Sequence, residues 1–154
     1  MSFWLMKSEP EVFSIDDLSA RRGMTTCWDG VRNYQARNFM RDRMRIGDRA
    51  FFYHSNCPEP AIVGIVEVVR AAYADHTAFD RGDPHYDAKS NREHPTWYMV
   101  DVKLERKLAR PITLDALKTH AAGALAGFLL LRRGNRLSVI PVAAEHWKFI
   151  LALE

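Results

Sequence analysis

The apolar residues of this chain come in short β-type runs that alternate with equally short helical patterns. The runs are rich in aromatic and β-branched residues and are bounded by Gly, Pro, Asp or Asn, which predicts strands near 3–6, 25–28, 50–53, 62–73, 97–104 and 137–140. Capping signals and apolar residues at helical spacing predict helices that begin near 14, 34, 113 and 145. About five to six short strands with short flanking helices favour a mixed α/β (α+β) domain with a small curved or barrel-like sheet over a doubly wound one.

The chain carries no internal repeat, low-complexity tract or linker within its 154 residues, so we expect a single domain over 1–154. One segment breaks the alternation. Residues 74–95 combine Asp, His, Gly and Pro with no periodicity and predict a long loop. A structureless loop of this length in a compact domain is usually functional or disordered.

Basic residues are clustered along the chain, although the net charge is only +3. Six arginines fall between 32 and 49 against two aspartates, and further clusters lie at 106–110 and 132–136. The guanidinium group pairs phosphate oxygens bidentately, so clustered arginine favours contact with a polyanion such as nucleic acid. A solvated helix face explains any single cluster equally well.

No cofactor, metal or membrane association is predicted. Cys27 and Cys57 form no CxxC pair, and no apolar run approaches the ~20 residues of a membrane span. His76, His85 and His94 lie nine residues apart in the long loop, a weak metal pattern. The first residues lack the features of a signal peptide, so we expect an intracellular protein, cytoplasmic in a bacterium or nuclear in a eukaryote.

The segment 28–38 is the densest candidate for binding, because it lies where a strand is followed by a helix. Arg32 and Arg37 could contact phosphate there, while Asn33 and Gln35 each carry a donor and an acceptor for a base edge. The alternative is that Trp28 belongs to the core and the polar residues only cap and solvate the helix.

Three shorter segments also place polar groups at predicted strand ends. Alternation along 52–56 puts Phe52 and His54 on one face and Tyr53 and Ser55 on the other, which is typical of a pocket rim. The segments 7–10 and 134–139 are turns that carry Lys, Ser and Arg. No Walker loop, G-x-S-x-G, G-x-G-x-x-G or H-E-x-x-H motif is present, so we expect no enzyme activity.

Four segments, 4–10, 28–38, 53–56 and 136–142, together closely resemble the EVE domain family, in order and over nearly the whole chain. The resemblance implies a PUA-like fold, a curved mixed barrel flanked by short helices. It also implies recognition of modified bases, such as methylated or hydroxymethylated cytosine in DNA, without chemistry on them. RNA-linked roles and resistance to foreign DNA are expected among bacterial members.

Twelve positions that match the family motifs are carried over as predicted pocket or backbone contacts for nucleic acid: Lys7, Ser8, Trp28, Arg32, Asn33, Tyr34, Arg37, Tyr53, His54, Ser55, Arg136 and Ser138. The chain departs from the family pattern at Phe13, where Tyr is frequent, and at Ala74 and Ala88, where Pro is usual. The last two lie in the long loop and bear on its conformation.

The main hypothesis is therefore capture of one base, stacked on an aromatic ring and hydrogen-bonded at its edge. The candidates for that ring are Trp4, Trp28, Tyr34, Phe52, Tyr53 and Trp97. One alternative is a small PUA-like hydrolase of a nucleoside or amide substrate, carried by His54 and Lys7. Another is a protein-interaction module.

Overall fold

The computed structural model describes residues 1–154 and places six strands in one mixed sheet. The order across the sheet is β2-β5-β4-β3-β1-β6. Strands β1 and β3 are parallel and every other neighbouring pair is antiparallel. The strands are β1 Phe3–Ser8, β2 Thr25–Cys27, β3 Arg49–His54, β4 Ala61–Ala74, β5 Tyr98–Thr113 and β6 Val139–Val142.

The sheet is not closed into a barrel, which corrects that part of the predicted fold. Strand β2 has three residues and β6 has four, and each pairs on one side only. The two edge strands β2 and β6 do not pair with each other, so the sheet remains open. Register shifts within the β3–β4 and β4–β5 ladders mark bulges, which bend the strands that contain them.

Four short helices flank the sheet, close to where the sequence predicts them: α1 Ile15–Ala20, α2 Tyr34–Asn38, α3 Leu114–Lys118 and α4 Ala144–Leu151. Ser14 and Asp17 form the predicted capping box at α1, with bonds of 3.1 and 2.8 Å. Helix α2 continues as a π-helical turn, Phe39–Arg43, so the helical segment ends near the predicted residue 44. No helix is both long and apolar enough to cross a bilayer.

Strand β5 is longer than the sequence predicts, since it runs past Leu104 to Thr113. Residues 105–107 are exposed and charged, and Pro111 would ordinarily argue against a strand. Pro141 likewise lies inside β6 rather than after it. Both prolines are tolerated where the ladder is irregular or at an edge of the sheet.

The apolar core is divided between the two faces of the sheet. Along β1, Trp4 and Met6 pack on one face and Leu5 on the other; along β3, Phe52 packs with the first group and Phe51 with the second. This is the alternation of a strand buried on both sides. Since both faces are covered, ligand access is restricted to the ends and edges of the sheet.

Candidate nucleic-acid interface

A cleft of about 320 Å³ opens where β1 and β2 end. One wall is the segment 7–9 at the end of β1, and the opposite wall is the segment 26–29 that leaves β2. Phe13 and Arg21 close one side, and His85 reaches in from the long loop. The volume is at the lower end of the ~300–1,000 Å³ range of ligand pockets.

Two aromatic rings contribute apolar surface to this cleft. Trp28 is 7% exposed and meets Phe52 edge-on, with ring centroids 5.4 Å apart and planes at 88°. Phe13 is half-buried, and the guanidinium of Arg21 lies 5.1 Å from its ring centre. The underlying Phe52 fixes the orientation of Trp28, so this ring is a rigid wall of the cleft.

The β1 wall supplies one amine and one hydroxyl group. Burial lowers the pKa of Lys7, because the charged ammonium is partly removed from water. The Ser8 hydroxyl donates to the Phe13 carbonyl at 2.5 Å, which leaves its oxygen free to accept.

Asp29 places a carboxyl group opposite the β1 wall and forms no hydrogen bond or salt bridge with another side chain. Burial and then the nearby Asp75 raise the pKa of Asp29. Burial also raises the pKa of Cys27, followed by the effect of Asp29. In the segment 26–29, burial therefore disfavours the charged forms of Cys27 and Asp29. A ligand that donates a hydrogen bond to Asp29 would stabilise its carboxylate.

An ion pair between the half-buried Arg32 and the fully buried Asp75 holds the long loop against this wall. Arg32 Nη1 lies 3.0 Å from the Asp75 carboxylate, which also accepts the Gly30 backbone N–H at 2.8 Å. Arg32 Nη2 donates to the His85 carbonyl at 2.7 Å. Burial acts to raise the pKa of Asp75, but hydrogen bonds from Thr77, Gly30 and Arg32 outweigh it and hold the pKa below its usual range. The guanidinium of the predicted site residue Arg32 is thus bonded to groups of the protein itself.

The imidazole of His85 rests directly on Gly30. A Cβ atom on Gly30 would lie 2.7 Å from both Cε1 and Nε2 of that ring, and the φ of Gly30 is +77°. Asp83 Oδ1 lies 3.1 Å from His85 Nδ1. Glycine at position 30 thus permits the close approach that brings His85 to the cleft.

The structure brings three of the twelve predicted residues together in the cleft, namely Lys7, Ser8 and Trp28. Ser55 and Ser138 lie next to it, and their backbones bind β1: the Ser55 N–H donates to the Ser8 carbonyl at 3.0 Å, and the Ser138 carbonyl accepts the Lys7 N–H at 2.9 Å.

Two others from the same strand do not line the cleft. Tyr53 is 3% exposed within the core on the second face, where burial raises its pKa to about 12. His54 shares a face with Phe52, as predicted, but its Nε2 accepts the Ile15 backbone N–H at 3.1 Å. Burial lowers the pKa of His54, although Asp16 acts in the opposite direction.

Tyr34 packs on the buried ring of Trp97, and Arg37 packs against Tyr34. The Tyr34 and Trp97 rings are 4.9 Å apart with their planes at 26°, and Tyr34 is 61% exposed. The Arg37 guanidinium lies 4.9 Å from the Tyr34 ring and donates to the Thr96 carbonyl at 2.8 Å. Asn33 and Arg136 lie in a separate depression, which Arg132 and Arg133 share.

Sequence reasoning missed Phe13, Arg21, Asp29 and His85 as cleft residues. Asp29 lies within the matched segment 28–38, but it is not among the twelve positions carried over. The unusual length of the loop, typical of functional or disordered segments, was the signal that could have pointed to His85 as a cleft residue. The histidines and aspartates of that loop do not assemble into a group that could hold a metal ion.

Among the candidate rings, Trp28 is the one that lines the cleft. Trp4 and Phe52 are fully buried, Tyr34 packs on the buried Trp97 ring, and neither Tyr34 nor Trp97 lines the cleft.

The fold is that of a small α+β domain with a cleft between the ends of its strands. The EVE domain model matches residues 2–153, and the chain belongs to the EVE domain family. Thymocyte nuclear protein 1 of Rattus norvegicus is 51% identical over 168 residues, covering 99% of this chain and 74% of the relative.

Solved structures agree with this assignment. Human THYN1 protein, in complex with 5-methylcytosine containing DNA, matches with a TM-score of 0.95 and 49% identity, covering 99% of this chain and 97% of that one. A protein from Pseudomonas putida matches with a TM-score of 0.92 and 49% identity, covering 99% of each chain. The mixed sheet with short helices is therefore the EVE, PUA-like fold.

Proposed function

We propose that this protein, as a single EVE domain over residues 1–154, binds DNA and holds one modified cytosine in the cleft beside Trp28. The observation that carries the proposal is the match to human THYN1 protein bound to 5-methylcytosine containing DNA, over 99% of the chain. The cleft supports it independently, because aromatic, hydroxyl, amine and carboxyl groups converge on a space of about 320 Å³.

Capture would proceed by extrusion of the base from its stack. Unstacking costs a few kcal/mol, and contact with an aromatic ring returns roughly 1–3 kcal/mol. Trp28 is buried and braced by Phe52, so its ring face is preorganised. The flanking Phe13 ring supplies further apolar area.

The base edge would be read by polar groups from the two walls. Carboxylates accept from the N4 amino group of cytosine. Asp29 is the carboxyl group in the cleft without a partner of its own, so we assign it this contact. Ser8 and Lys7 face it from the end of β1 and are positioned to meet the other polar atoms of the base.

Selectivity for the modification would be modest unless a polar group assists. A buried methyl group contributes only about 0.8 kcal/mol. A hydroxymethyl group gains more only if a partner accepts a hydrogen bond from it or donates one to it, and we assign this role to Ser8 or His85 of the cleft.

The hydrolase alternative requires His54 and Lys7 to act together, and the geometry gives it no support. His54 Nε2, the nitrogen that would serve as a base, already accepts the Ile15 N–H. His54 also does not line the cleft that holds Lys7.

The test is a binding panel of short oligonucleotides that carry cytosine, 5-methylcytosine or 5-hydroxymethylcytosine, in single and double strands. Phe13→Leu keeps apolar volume but removes a ring, and Lys7→Ala removes the cleft amine; we expect both to weaken binding of the modified oligonucleotide and reduce its preference. Lys118→Ala, on the exposed face of α3, is the matched control and should bind as the wild type does. Equal affinity of the wild-type protein for all three bases would refute the proposal.

A further inference from the structure

A second depression, of about 310 Å³, is lined mainly by basic and amide side chains. Asn33 and Gln35 form one side, and the segment 132–137 forms the other, with the arginines Arg132, Arg133 and Arg136. No acidic residue lines it. We call this depression the arginine groove.

The three guanidinium groups of the groove are not neutralised within the protein. Other arginines of the chain form salt bridges, for example Arg32 with Asp75 and Arg49 with Glu105. None of the salt bridges of the structure includes Arg132, Arg133 or Arg136. Like charges held close together repel, and an anionic ligand removes that cost.

Hydrogen bonds of the Asn135 side chain anchor the turn that carries these arginines. Asn135 Nδ2 donates to the Leu129 carbonyl at 2.5 Å, and Asn135 Oδ1 accepts the Leu137 N–H at 2.9 Å. Gly134, with φ of +79°, makes the turn between Arg133 and Asn135. The arginines therefore project from an anchored turn.

An amide donor faces the groove from the other side. Asn33 Oδ1 accepts the Ala36 N–H at 3.0 Å as the N-cap of α2, so its Nδ2 group is the part left to donate. Arginine forks with an amide donor across from them suit the oxygens of a phosphodiester.

Both sides of the groove continue from the walls of the cleft. Asn33 follows the cleft residue Asp29 by four residues along the chain. On the other wall, Arg136 precedes Ser138, whose carbonyl binds the Lys7 N–H at 2.9 Å. A strand that delivers a base to the cleft would pass this groove with its neighbouring phosphates.

We propose that the arginine groove binds the phosphodiester backbone of the strand whose base enters the cleft. The inference rests on the proposed function for the choice of strand. The groove itself is independent of base identity, because phosphate contacts carry no sequence information.

The experiment measures affinity for an unmodified and a 5-methylcytosine single-stranded oligonucleotide between 50 and 200 mM salt. The groove variant carries Arg132→Gln, Arg133→Gln and Arg136→Gln. The control carries Arg45→Gln, Arg81→Gln and Arg110→Gln, which are exposed arginines without salt bridges elsewhere on the surface. Each variant lowers the net charge of +3 by three, so a difference between them reflects position rather than total charge.

We expect the groove variant to lose about 0.7 from the slope of log K against log salt for each phosphate contact removed. The ratio of affinities for the two oligonucleotides should stay as in the wild type, and replacement of the same three arginines with lysine should restore most of the slope. Equal slopes of log K against log salt in the groove variant and the control would refute phosphate binding by the arginine groove. If the wild-type protein shows no base preference but its salt slope still falls in the groove variant, phosphate binding by the groove is supported and the modified-base function is refuted. If the wild-type protein binds neither oligonucleotide, both proposals are refuted.

Discussion

The guanidinium of Arg32 lies 3.0 Å from the fully buried carboxylate of Asp75, and this pair ties the segment after β2 to the segment after β4. The same carboxylate accepts the Gly30 N–H, and the same guanidinium donates to the His85 carbonyl. Two loops that are far apart in sequence are joined at the wall of the cleft. The shape of the cleft therefore depends on a pair that does not line it.

Arg32→Ala should destabilise the protein by about 3 kcal/mol, because it leaves the Asp75 carboxylate buried without its counter-charge. Urea unfolding measures the loss. Arg41→Ala is the matched control, since its salt bridge with Asp42 is exposed and should contribute nothing measurable. If Arg32→Ala weakened DNA binding with unfolding unchanged, Arg32 would instead be a phosphate contact.

Gly30→Ala should lower the free energy of unfolding more than Gly127→Ala, although the two glycines have a similar φ. Gly30 and Gly127 have φ of +77° and +83°, so alanine at either position meets a similar backbone penalty of roughly 1 kcal/mol. Only at Gly30 would the new Cβ meet a side chain, the His85 ring at 2.7 Å, while at Gly127 nothing lies within 4 Å.

We therefore expect Gly30→Ala to displace His85 and to lower both stability and affinity for the modified oligonucleotide. Gly127→Ala should lower stability alone. The free energy of unfolding and the dissociation constant, measured on both variants, separate the two effects. Similar losses of affinity in both would show that the contact with His85 has no part in binding.

The local elements of this fold were predictable because their signals are local. The capping box of Ser14 and Asp17 involves residues only three positions apart, and so does the cap from Thr113 to Ala116. Both caps form as expected. Alternation correctly assigned Phe52 and His54 to one face of β3. It did not show that the opposite face is also covered, so Tyr53 was expected at a rim and lies in the core.

The tertiary partners of charged residues could not be predicted. Arg32 resembles a phosphate contact in sequence, but Asp75, 43 residues later, takes its guanidinium. The extension of β5 beyond Leu104 was missed for a similar reason, because its exposed charged residues pair with β4 through the backbone and carry no apolar alternation. The cleft combines short segments from distant parts of the chain, of which the family motifs matched only some.

Asp29→Asn should relax discrimination between cytosine and thymine in the cleft. A carboxylate accepts only and suits the N4 amino group of cytosine, whereas an amide can both accept and donate and so tolerates O4 of thymine. We expect a loss of about 1–3 kcal/mol of discrimination, measured with oligonucleotides that differ at one base. Asp115→Asn, exposed on α3, should leave discrimination unchanged.

The same contact predicts a pH dependence of base preference. Burial and then Asp75 raise the pKa of Asp29, so its carboxylate is lost at a higher pH than an ordinary aspartate of about 3.9. The preference for cytosine should therefore decline as pH falls toward that raised pKa, and Asp29→Asn should abolish the dependence. An identical decline in the variant would assign it to another group.

His54 should make the fold sensitive to mild acid. Burial lowers its pKa, so near pH 6.5 the unfolded chain binds more protons than the folded one, and stability rises with pH. The contribution is complete above about pH 6.5 and is lost as pH falls from there toward the folded pKa. Protonation also removes the Nε2 lone pair that accepts the Ile15 N–H at the start of α1.

His54→Gln separates titration from the hydrogen bond, because the amide oxygen of glutamine can accept the Ile15 N–H but does not titrate. Urea unfolding at pH 7.5 and 5.5 should show a smaller difference for His54→Gln than for the wild type. His94→Gln, at an exposed position of the long loop, should keep the wild-type difference. The assignment to His54 fails if its variant loses as much stability between the two pH values as the wild type, because the proton would then bind elsewhere.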